Sequence, residues 1–106
     1  MSIFAKKELN VVAAENFWKW FVENNDWIIN NVNTNGMDVI WAIDEQIKPV
    51  FPYFRKELEF QLGFNDGVGE FFFFHFNDRN LKRDAEIFKS MIPNELAKTW
   101  EVILEA

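Results

Sequence analysis

The sequence predicts an α+β domain: a two-layer sandwich with helices on one face of a small, three-stranded, antiparallel-rich sheet, in the order α-α-β-β-α-β. Three observations predict it. Apolar residues recur at helical spacing near both ends of the chain. Leu58-Glu59-Phe60-Gln61-Leu62 alternates with period two, as a half-buried strand does. Glu70 to Phe76 carries a ring at almost every position, in a run too short for a helix and rich in a strand-favouring residue.

The first helix is expected over about 12–30, with Asn10 as its N-cap and 1–9 as a loose lead-in. Phe17, Phe21, Asn24 and Ile28 form its inner stripe, and Trp18, Trp20 and Trp27 widen it. Phe17 to Phe21 could serve as an aromatic recognition box, but core plus rim is the simpler reading. Asn24-Asn25-Asp26 is expected to bend or break the helix. The second helix, about 37–48, has Asn35 as N-cap and Asp38 in its first turn, where the helix dipole favours a carboxylate. Ile40, Ile43 and Ile47 face inward. Pro49 ends the helix, and 49–54 is expected to run as an extended connector.

Between the two hairpin strands, 64–69 reads as a loop of turn residues. With Gly63 and Gly69 closing it, Leu62 opposes Glu70 and Phe60 opposes Phe72. One face then holds Leu58, Phe60, Leu62, Phe72 and Phe74 beneath the helices. The other holds Glu59, Gln61, Phe71, Phe73 and His75, joined by Ile103. A slip of one residue exchanges the two phenylalanine sets. The third helix, about 81–91, buries Leu81, Ala85, Phe88 and Ile92 and turns Lys82, Asp84, Glu86 and Lys89 to water. A short helical turn over 94–98 and a final strand, 100–104, complete the order. The crossover through the third helix is right-handed and makes the last strand parallel to the second. Either hairpin strand could be its neighbour, and the first is preferred.

Phe17-Trp18-x-Trp20-Phe21, Glu59-Phe60, Gly69-Glu70 and Trp100-Glu101-Val102-Ile103 resemble a family of small bacterial proteins of unknown function, over roughly Phe17 to Ile103. Members of that family continue beyond the Trp-x-Val-Ile strand, so the resemblance implies a shortened version or a fragment. It implies a fold order and no activity.

With 106 residues, 49% of them hydrophobic, the chain is expected to form one domain with one core. A net charge of −6 argues against nucleic acid, which needs clustered Lys and Arg. The cluster Arg79, Lys82, Arg83 and Lys89 is interleaved with acids and reads as a solvated helix face. No apolar run reaches the ~20 residues of a membrane-spanning helix. No signal peptide is visible, and the chain has no cysteine, which fits a cytoplasmic protein.

Catalytic material is thin. His75 is the only histidine, and no Ser lies near it in sequence to serve as its nucleophile. No catalytic residue, metal ligand set or cofactor motif stands out. His75 is expected to be structural, packed beside Phe73 and bonded to Glu57. The preferred function is a non-enzymatic protein-interaction or self-association module. A specific version is an acidic protein that neutralises a basic one, as immunity proteins and antitoxins do. The candidate contact surface is Phe71, Phe73, His75, Glu59, Gln61 and Ile103. The alternative is a small-ligand-binding domain with an aromatic pocket between helices and sheet, and a hydrolase using His75 comes third.

Overall fold

In the computed structural model, which describes residues 7–106, the chain runs α1 (Val11–Asn31), α2 (Gly36–Ile47), a 3-10 turn (Lys48–Val50), β1 (Glu59–Asn65), β2 (Val68–Phe74), α3 (Arg79–Ser90), α4 (Asn94–Ala97) and β3 (Trp100–Glu105). The α+β order and the two layers are those expected. The sheet is mixed and not antiparallel-rich: β1 pairs antiparallel with β2, and β2 pairs parallel with β3.

Helix α1 starts where Asn10 Oδ1 accepts the Ala13 N–H at 3.0 Å, the expected cap. It does not break at Asn24-Asn25-Asp26. Asn24 Nδ2 donates to the Trp20 carbonyl at 2.8 Å, and Asn25 Oδ1 accepts from Trp100 Nε1 at 2.7 Å. These polar residues are therefore used inside the helix, one of them to hold β3. Asn35 precedes α2 but makes no capping bond; its amide donates to Asn31 Oδ1 at 2.9 Å. Of the expected lead-in, 1–6 lie outside the described residues. Leu9 is buried, and the Asn10 N–H donates to the Val50 carbonyl, so this part is pinned to the turn after α2. That turn replaces the start of the expected extended connector.

The hairpin departs from expectation in register. Its loop is two residues, Asp66 and Gly67, both with positive φ (54° and 78°), the pattern of a type I′ turn. Asn65 therefore pairs with Val68, Leu62 with Phe71 and Phe60 with Phe73. This is the one-residue slip that exchanges the phenylalanine sets. Phe71 and Phe73 lie in the core, and Phe72 and Phe74 face away from it.

Strand β3 lies beside β2, and not beside β1, which the sequence reading preferred. In this arrangement Gly69 pairs with Trp100 and the indole packs over it. A Cβ on Gly69 would stand 2.4 Å from the Trp100 ring, so only glycine admits the indole here. The indole then reaches Asn25 on α1.

The core is aromatic. Phe17, Trp18 and Phe21 of α1 meet Phe71 of β2, Phe88 of α3 and Trp100 of β3. Phe51 packs on Phe73 with ring centroids 5.2 Å apart. Trp18 Nε1 donates to the Phe88 carbonyl at 3.0 Å, which satisfies a buried donor. The Phe17–Phe21 segment is thus mainly core.

Candidate functional site

The face of the sheet opposite the helices carries Glu59 and Gln61 from β1, Glu70, Phe72 and Phe74 from β2, and Glu101, Ile103 and Glu105 from β3. Period-two alternation sets this, given the register. Opposed residues share a face, so Phe72 lies between Gln61 and Ile103, and Phe74 between Glu59 and Glu105. Phe72, Phe74 and Ile103 are half-buried, and Phe74 also borders the groove between α2 and β1. They are not among the apolar residues packed against the core. The glutamates are exposed. The ion pairs among the described residues are Lys48–Asp44 and Arg83–Asp84, so none of these glutamates has a cation at salt-bridge distance there.

The expected contact surface is therefore divided by the register. Glu59, Gln61 and Ile103 lie on the open face. Phe71, Phe73 and His75 lie on the helix face and are buried, which removes them from any such surface. Phe72 and Phe74 take their place. The Asp66-Gly67 pair was the signal for this, because it marks a two-residue turn.

His75 is buried beside the core, but its expected bond to Glu57 is absent. Its Nδ1 accepts the Asn77 N–H at 3.1 Å, and its carbonyl accepts the Asp78 N–H at 2.9 Å. Phe76 and Asn77, between them, both have positive φ (54° and 57°). No Ser or Thr hydroxyl is bonded to the imidazole among the described residues, nor do three metal-ligating side chains come together there.

Asp84, expected in water, is buried. It lies three residues after Leu81 and four before Phe88, on the inner stripe of α3. Its carboxylate accepts from Tyr53 Oη at 2.5 Å and from Arg83 Nε and Nη2 at 2.9 and 3.0 Å. Burial, with the bond to Asp84, holds the Tyr53 hydroxyl above the usual tyrosine range. The Asp84 carboxylate in turn favours the charged form of Arg83. The triad ties the connector to α3, and among the described residues every buried polar side-chain atom has a partner.

Rings fill the space between helices and sheet, where the alternative reading would put a ligand pocket. Clefts open at the periphery instead. One, of about 570 Å³, lies beside Tyr53, Phe54, Arg55, Phe76 and Asp78. The Phe54 and Phe76 rings are parallel to within 2° with centroids 6.3 Å apart. Another, of about 390 Å³, runs between α2 and β1. No helix among the described residues is long and apolar enough to cross a membrane. Comparison of the chain with known protein families, with characterised proteins and with solved structures finds no match.

Proposed function

We propose that the chain is a non-enzymatic protein-interaction module that binds a basic partner protein through the open face of its sheet, in the manner of an acidic neutralising protein. One observation carries the reading: Phe72, Phe74 and Ile103 form an apolar strip ringed by Glu59, Glu70, Glu101 and Glu105, with no cation paired to any of them among the described residues. Apolar strips of this kind on protein surfaces mark interaction sites. Uncompensated carboxylates around it select a partner of opposite charge and speed the encounter. The same carboxylates disfavour a second copy of this chain, because two such faces would oppose glutamate to glutamate.

The test is capture from cells of the source, with captured proteins identified by mass, using the wild-type chain and a Phe72→Glu/Ile103→Glu variant. The expected result is a basic protein that is released by salt, is held by the wild type and is lost with a folded variant. Equal capture by both chains, or a partner held independently of salt, overturns the proposal.

A further inference from the structure

Strand β1 is an edge of the sheet, and its outer side is open. In an antiparallel pair alternate residues turn both backbone groups to the partner strand. A two-residue turn makes Asn65 and Val68 the closing hydrogen-bonded pair, so Gly63, Gln61 and Glu59 also face β2. Phe60, Leu62 and Phe64 then direct their N–H and C=O groups outward. The Phe64 carbonyl accepts from Asn33 Nδ2 at 2.7 Å. The backbone groups of Phe60 and Leu62 have no protein partner among the described residues. Free edges pair with other strands, and proteins usually blunt them with lysine, proline or a bulge. β1 has no lysine or proline, and its register runs without a bulge.

The groove between α2 and β1 runs along this edge, lined by Ile40, Trp41, Asp44, Phe60 and Gln61. Trp41 is 64% exposed, and Met37, one turn earlier, is 65% exposed. Lys48, in the same groove, pairs with Asp44 at 2.7 Å and also acts through its charge on Glu57. Glu57 and Glu59 also line it and carry no ion pair among the described residues.

We infer that this edge takes up an extended, basic segment of a partner protein as a fourth strand. The inference rests on the basic-partner reading above and names the part of the partner that binds. Side chains of an added strand alternate between faces. One set falls on the helix side, against Trp41 and Ile40, and is apolar. The other continues the open face beside Glu59 and Gln61, and is Lys or Arg. Asn33, by holding the Phe64 carbonyl, closes one end, so the segment spans about five residues at ~3.3 Å each.

The probes are acetyl-Lys-Val-Lys-Val-Lys-amide, its backbone N-methylated form and the neutral acetyl-Ser-Val-Ser-Val-Ser-amide. Each is added at millimolar concentration to the isotopically labelled chain, and amide shifts and hydrogen exchange are recorded. The basic peptide should slow exchange at Phe60 and Leu62 by about tenfold or more, N-methylation should weaken binding about tenfold, and so should Trp41→Ala with melting unchanged. Shifts confined to Phe72, Phe74 and Ile103, equal for the plain and methylated peptides, would overturn the edge inference and leave the open-face reading standing. Edge protection by the neutral peptide as strong as by the basic one would overturn the basic character of the segment, and with it the basic-partner reading. Unprotected Phe60 and Leu62 amides with all three peptides would overturn the inference outright.

Discussion

Phe73→Ala should destabilise the fold by about 3–5 kcal/mol, the usual cost of removing a buried aromatic ring. The Phe73 side chain is fully buried, with ring centroids 5.2 Å from Phe51 and 6.2 Å from Phe88. Transfer of the ring from water contributes roughly 1.5–3 kcal/mol, and each aromatic pair adds roughly 0.5–1.5 kcal/mol. Phe51 is held by the turn after α2 and Phe88 by α3, so neither can move far to fill the space. At about 2.1 cal/mol/K per residue, 106 residues give an unfolding entropy of roughly 0.22 kcal/mol/K, and the loss becomes a fall in Tm of about 14–23 °C. Phe72→Ala, one residue away, removes a ring that is only partly buried and does not pack against the core. It should cost about 1 kcal/mol or less, near 5 °C. Thermal melts and urea titrations of both variants at neutral pH make the comparison. A Phe72→Ala loss equal to or larger than that of Phe73→Ala would refute the register, and the open face would fall with it.

Gly69→Ala should displace the Trp100 indole, break its 2.7 Å bond to Asn25 and cost about 1–3 kcal/mol or somewhat more, read from the urea midpoint and the near-ultraviolet circular dichroism; an unchanged spectrum would count against the fit described here. Tyr53 is the only tyrosine, so phenolate absorbance reports it alone. Its raised folded pKa means the stability it contributes is complete below about pH 10, the value of a free tyrosine, and is lost as pH climbs beyond it; ionisation at the free value in the folded chain would contradict the Asp84 contact. Phe76→Gly relieves a left-handed φ worth about 1–2 kcal/mol and forfeits the stack on Phe54, worth about 0.5–1.5 kcal/mol, so the melting temperature should stay within about 5 °C of wild type. A larger drop would show that the ring pair carries more of the fold than this.

The helices were legible because Phe17, Phe21 and Ile28, and Leu81, Ala85 and Phe88, repeat at a spacing that only a helix brings to one side. The register was not, because Phe71 to Phe74 are the same residue and no alternation says which pair points inward. Only the turn could decide, and Asp66-Gly67 sits inside a longer run of turn residues that blurs where the strands stop. Strand order was illegible for a related reason: a right-handed crossover permits either neighbour. The observed neighbour brings the Trp100 indole over Gly69, a fit visible only in three dimensions. Asp84 could have been found from its spacing alone. The candidate surface was half legible, since Glu59, Gln61 and Ile103 keep their face whichever way the phenylalanines turn.

The rings that meet in the core come from distant parts of the chain. Phe17 touches Phe88, and Phe21 touches Trp100, so the contacts join residues more than seventy positions apart. Closing such loops costs entropy before any burial repays it, and chains built this way fold orders of magnitude more slowly than local helical bundles. The hairpin is local in sequence, yet its buried phenylalanines have nothing to pack on until α1 and α3 both arrive. No contiguous half of this chain holds a finished core. Assembly is therefore an all-or-none event late in folding, and a segment bearing four consecutive phenylalanines stays exposed until it occurs. In a crowded cell that interval is when this chain is most prone to aggregate.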